Sequence, residues 1–131
     1  MYFDEDVVLD IRMNELDKYI DYFVVVESVF THSGDKRSLK FNHKKFEKFK
    51  DKLIYKVFDK PPKNLESIND NDSEEVKGNK YIMNAIKREN GQRNLIGEGL
   101  YKAEKNDIIL ISDVDEIPNL SKIDFSKVNE K

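Results

Sequence analysis

The sequence predicts an α/β domain with a mainly parallel sheet flanked by helices. Three observations carry this. Apolar, β-branched and aromatic runs at Tyr22–Ser28 (YFVVVES), Leu53–Asp59 (LIYKVFD) and 107–112 (DIILIS) read as strands. Segments of helical periodicity separate them. Strands alternating with helices imply right-handed crossovers and parallel pairing.

The elements follow in order. Leu9, Met13, Leu16 and Ile20 recur at helical spacing, so a helix is expected over about 7–19, with Asp4 or Asp6 as its cap. Tyr22–Ser28 is continuously apolar, as a central strand buried on both faces is. The turn residues of VFTHSGDKRS make the following loop. FNHKKFEKFKDK places Phe41, Phe46 and Phe49 near one face of a basic helix, most simply a core stripe. After the second strand, Pro61, Pro62 and many Asn, Asp, Ser and Glu residues predict a surface loop over 60–80. YIMNAIKREN reads as a helix, and QRNLIGEGLYKAEK, after Gly91, as another. The third strand then leads into DVDEIP.

At 131 residues the chain has the length of one domain, 1–131. Charged residues make up 37%, but 11% aromatics and clear apolar runs exclude a disordered chain. The 23 basic residues are interleaved with 26 acidic ones, which leaves no stripe for nucleic acid. The absence of cysteine excludes a disulfide framework and thiolate metal sites. No apolar run approaches the ~18 residues of a membrane span, and the acidic start MYFDED is no secretory signal. A cytoplasmic protein is expected.

The most informative stretch is IILISDVDEIP, 108–118. Asp113, Asp115 and Glu116 crowd together where an apolar run ends. Like charges this close repel and call for water or a cation. Carboxylate oxygens suit Mg²⁺ or Mn²⁺, which use one or two of them and leave positions for water and phosphate. A lone D-x-D tripeptide is usually a solvated turn. Here an apolar strand feeds it and Pro118 ends it. Ile117 and Pro118 do not match an EF-hand loop, and no phosphatase motif follows. In parallel sheets ligands bind beyond the carboxyl ends of the strands, which is where Glu27 to Gly34, Asp59 and Asp113 to Glu116 are expected to gather.

Two blocks of the chain resemble a known family. LDIRMNELDKYIDYFVVVESVFTHSG is similar to the opening of glycosyltransferase family 17. RENGQRN followed by DIILISDVDEIP is similar to its central block. This is the family of the bisecting β-1,4-N-acetylglucosaminyltransferase, and the resemblance runs from about Val8 to Pro118, matching poorly over 61–80. It implies a GT-A type, Rossmann-like sheet, a UDP-N-acetylglucosamine donor, a glycan acceptor and a divalent metal, Mn²⁺ or Mg²⁺. Asp113 and Asp115 match the metal motif, with Asp115 the direct ligand and Asp113 reaching the donor's ribose or sugar, or the metal through water. Arg93 and Asn94 match the family's QRN. Arg93 suits a diphosphate, although a surface pair with Glu89 is an equal reading. Glu27 is expected on ribose hydroxyls, Thr31 in the donor pocket beside His32, and Asp59 on the base or capping a turn.

An inverting transfer also needs a general base. Only thirteen residues follow Pro118, and their acids, Asp124 and Glu130, sit in no recognisable motif. The expectation is therefore a sheet incomplete at its carboxyl end, of bacterial or viral origin, prone to self-associate through exposed apolar surface. A nucleotide-sugar-binding module without transfer is the alternative. A Mg²⁺-dependent phosphotransfer enzyme is a third reading, disfavoured by missing companion motifs.

Overall fold

The structure is a computed structural model that describes residues 1–127. Helix α1 spans Asp6–Leu16, strand β1 Phe23–Ser28, strand β2 Leu53–Phe58 and helix α2 Glu74–Asn94. Short 3-10 segments cover His43–Phe49, Leu95–Gly99, Leu120–Lys122 and Phe125–Lys127. β1 and β2 pair in parallel, with Phe23 opposite Leu53 and Ser28 opposite Phe58. The α/β class and the parallel pairing are as the sequence implies.

One face of the sheet carries the core. Leu9, Met13 and Leu16 of α1 close on Phe23 and Val25 of β1, on Phe46 and Phe49, and on Leu120. Lys52 staples the end of α1 to the start of β2 by donating to the carbonyls of Asp17 (2.7 Å) and Ile20 (3.0 Å). On the other face the chain approaches the sheet at two glycines. A side chain at Gly99 would collide with Val24, and one at Gly91 with Phe58.

Asp6 ties the amino end together. Its carboxylate accepts from the Tyr2 hydroxyl (2.6 Å) and pairs with Lys45. These two donors, Lys45 first, hold Asp6 below its usual carboxylate range. The folded chain thus binds this proton less readily than the unfolded one. The stability Asp6 contributes is present above the ordinary pKa of ~3.9 and is lost as pH falls through its lower folded value. In thermal melts, Asp6→Asn should lower Tm at pH 7, and the gap should close as pH drops below about 4. A gap that stays constant with pH would contradict the assignment.

Four local expectations are corrected. The cap of α1 is Glu5, with no side-chain capping bond, while Asp6 lies in the first turn. The basic helix is a 3-10 segment broken at Phe46, whose φ and ψ of −113° and 22° are not helical. Residues three apart stack in 3-10 geometry, so Phe46 and Phe49 both reach the core, and Phe41 stacks on Phe46 and Tyr55. The loop over 60–80 ends earlier, because Ser73 caps α2 and Glu74 and Glu75 complement its dipole. Buried Asn84 holds that loop on α2 through the N–H (2.7 Å) and carbonyl (2.9 Å) of Glu66. Gly91 does not divide two helices: α2 runs through it to Asn94.

The third strand is absent among the described residues: the sheet has two strands. Ile108, Ile109, Leu110 and Ile111 stay 42–58% exposed. They border a cavity of about 490 Å³, across from Phe23, Val24 and Val25. The outer edge of β1 is already engaged toward its carboxyl end. Tyr2 N–H (2.9 Å) and Gln92 Nε2 (3.1 Å) both donate to the Val26 carbonyl. The apolar segment is meanwhile held at both ends, by a turn at Glu104–Asp107 and by Arg12 on Ser112. No helix among the described residues is long and apolar enough to cross a membrane.

Candidate functional site

Residues 112–117 form an acidic turn. The Glu116 N–H donates to the Asp113 carbonyl (3.1 Å) and the Ile117 N–H to that of Asp115 (3.1 Å). The Asp113 N–H donates to Glu116 Oε2 (3.1 Å). Val114 and Ile117 pack against the core, and Leu120 is buried in it. Apolar pins thus alternate with acids. The pins fix the turn, and Asp113, Asp115 and Glu116 are left facing solvent.

Two arginines meet this turn. Arg93, near the end of α2, lies 3.5 Å from Asp113 Oδ1 and donates to Glu89 Oε1 (3.2 Å). The two alternatives for Arg93, diphosphate ligand or partner of Glu89, therefore describe a side chain already shared between two acids. Arg12 reaches across from α1. Its Nη1 donates to the carbonyls of Asp113 (2.9 Å) and Glu116 (2.7 Å), and its Nη2 to Ser112 Oγ (2.7 Å). Partial burial lowers the Arg12 pKa, and the carboxylates of Glu116, Asp113 and Asp115 oppose this. Arg12 was missed in the sequence, although a signal was present. Leu9, Arg12, Met13 and Leu16 follow the i, i+3, i+4, i+7 pattern of one buried helix face. A charge on such a face needs a partner.

Helix α2 links the turn to the loop after β1. Arg88 donates to the His32 carbonyl (3.0 Å) and Gln92 to that of Val26, while Arg93 pairs with Asp113 of the acidic turn. Thr31 organises that loop: its Oγ1 accepts from the Asp35 N–H (3.0 Å), and its carbonyl from the N–H of Gly34 (3.0 Å). Gly34 has φ +102°, in the left-handed region. Glu27 is fully buried on the α1 side of the sheet. It accepts from the N–H groups of Lys40 (2.6 Å) and Phe41 (3.1 Å) and from the Tyr55 hydroxyl (2.7 Å), with Arg37 at 3.4 Å. Asp59 and Asn94 are exposed at the ends of β2 and α2. The structure therefore brings Arg93 and Asp113 into contact and puts Asp115 on the same turn. Glu27 faces the packed interior instead.

A family model, Glycosyltransferase family 17, matches residues 1–131. The chain belongs to this family. It is 30% identical, over an alignment of 128 residues that covers 92% of this chain, to the human (Homo sapiens) beta-1,4-mannosyl-glycoprotein 4-beta-N-acetylglucosaminyltransferase. The rat (Rattus norvegicus) protein of the same name matches equally, at 30% over 128 residues. The chain spans 21% of the length of each of these relatives. No solved structure matches.

No three acids or imidazoles among the described residues are gathered tightly enough to enclose a metal by themselves. Asp115 carries no hydrogen bond or ion pair on its carboxylate among the described residues, and Asp113 has only Arg93 at 3.5 Å. Asp124 accepts from the Ser126 hydroxyl (2.6 Å) and pairs with Lys127 (3.1 Å). These hydrogen bonds, Ser126 first, hold it below the usual carboxylate range. Glu130 lies outside the described residues.

Proposed function

We propose that this chain is the nucleotide-sugar-binding part of a metal-dependent inverting glycosyltransferase of GT-A type. Its donor is a UDP-sugar, with N-acetylglucosamine as the sugar named in its relatives' names, and its acceptor a glycan. The observation that carries the reading is the meeting of Arg93 with Asp113. Twenty residues apart in sequence, they place a guanidinium against one solvent-facing carboxylate of a turn that also carries Asp115. A nucleoside diphosphate with a divalent cation has the complementary charges.

Asp113 and Asp115 fit a hard cation whose remaining ligands are phosphate and water. Such a cation, Mn²⁺ or Mg²⁺, offsets the charge on the departing diphosphate. Asp115 would hold the cation directly. Asp113, released by Arg93, would reach the donor's ribose or sugar, or the cation through water. Arg93 turns from Glu89 and Asp113 to the diphosphate oxygens, for which its planar fork is shaped. Asn94, the loop of Thr31, and Asp59 border the nucleoside. Glu27 acts from behind, by holding the Lys40–Phe41 backbone. In the reaction an acceptor hydroxyl attacks the anomeric carbon from the face opposite the diphosphate. The bond from that carbon to the diphosphate oxygen breaks, UDP departs with the electron pair, and the hydroxyl proton passes to a base.

Saturation-transfer NMR with UDP-N-acetylglucosamine and Mg²⁺ tests the proposal. Uracil, ribose and sugar protons should all receive saturation. Arg93→Ala should weaken UDP by about ten- to a hundredfold, the worth of a charged hydrogen bond, and leave uridine unaffected. Absence of saturation in a folded chain, or equal losses for UDP and uridine, would count against it.

A further inference from the structure

We infer that Arg12 is a positioning residue of this site, the clamp that holds the 112–116 turn so that Asp113 and Asp115 face one ligand. The inference rests on the reading of that turn as the donor site.

The choice of acceptors carries the argument. An arginine present to balance acids would bind their carboxylate oxygens. Arg12 binds two backbone carbonyls and one hydroxyl instead. Its three bonds span the turn from Ser112 to Glu116, and none uses a carboxylate oxygen. The acids stay available, while a positive charge lies close enough to ease their mutual repulsion. The clamp is rigid at its base. Leu9, Met13 and Leu16, the neighbours of Arg12 on α1, are at most 4% exposed. The guanidinium adds a planar fork of fixed donors, which the rotatable ammonium of lysine does not reproduce. The acids crowd because two devices oppose their separation: apolar pins within the turn, and this clamp from α1.

The test uses the 131-residue chain with Arg12→Met, which keeps the stem and a good helix former, and with Arg12→Lys, which keeps the charge. Two quantities are measured: amide hydrogen exchange at 113–117 against the rest of the chain, and the affinity for UDP with Mn²⁺. In Arg12→Met, exchange should rise at the turn and hardly elsewhere, and Mn²⁺–UDP affinity should fall about ten- to a hundredfold, as when a metal ligand loses its support. Arg12→Lys should recover part of the affinity. It also serves if the methionine variant does not fold. A purely structural role would raise exchange throughout the chain and leave the affinity of the folded fraction intact. Unchanged affinity in a folded Arg12→Met chain overturns the inference. If the unmodified chain bound no Mn²⁺–UDP, the reading of the site would fall, and exchange alone would judge Arg12. Faster exchange confined to the turn would keep it as the clamp, and unchanged exchange would remove it.

Discussion

Replacing Glu27 by alanine should remove a large share of the chain's stability at neutral pH. This carboxylate has no contact with solvent and is the common acceptor for two backbone N–H groups, the Tyr55 hydroxyl and the nearby Arg37. Alanine would leave the two N–H groups and the Tyr55 hydroxyl without an acceptor in the interior, and the largely buried Arg37 guanidinium, which keeps the carbonyls of Ser28 and Phe3, without its anion. Removing one partner of a buried ionic cluster costs about 3–5 kcal/mol. A domain of this size has about 5–15 kcal/mol in all. Glu27→Gln should be milder but still destabilising, because its amide turns a donor toward groups that are themselves donors. Urea unfolding followed by circular dichroism measures both. Glu27→Gln with unchanged stability but weakened nucleotide binding would instead mean that Glu27 touches the donor.

The second large effect should come without any loss of stability. Asp115→Asn should remove metal-dependent nucleotide binding while leaving the urea midpoint where it was. Asp115 is exposed and makes no hydrogen bond or ion pair through its carboxylate among the described residues. Surface substitutions of this kind usually stay within about 0.5 kcal/mol. A neutral amide is, however, a poor replacement for a charged oxygen beside a hard cation. Asp113→Asn should be less clean, since it also releases Arg93. A midpoint that fell with Asp115→Asn, or metal-dependent binding that survived it, would contradict the role given to this residue.

Where the sequence could be read, hydrophobic spacing made it readable. Leu9, Met13 and Leu16 mark the buried side of α1, and the β-branched run Phe23–Val26 marks β1. Both signals are local and both elements form. The failures came from tertiary contacts that spacing does not carry. Gly91 reads as a break, but it sits inside α2 because Phe58 needs the room. Ile108–Ile111 reads as a strand by composition. Yet the Val26 carbonyl on the edge of β1 has been taken by Tyr2 and Gln92. The acidic turn was legible as a cluster, and Arg93 as a candidate for it. What held the cluster was not, because Arg12 lies a hundred residues upstream of Ser112. Only its place on a buried helix face betrayed it.

The central claim is that the crowded carboxylates hold a cation on a diphosphate. The most direct measurement is calorimetric titration of UDP into the unmodified chain, with and without Mn²⁺. The claim predicts binding that is saturable with the metal and at least about tenfold weaker without it. Equal binding in both titrations, or none by a chain shown to be folded, would contradict it.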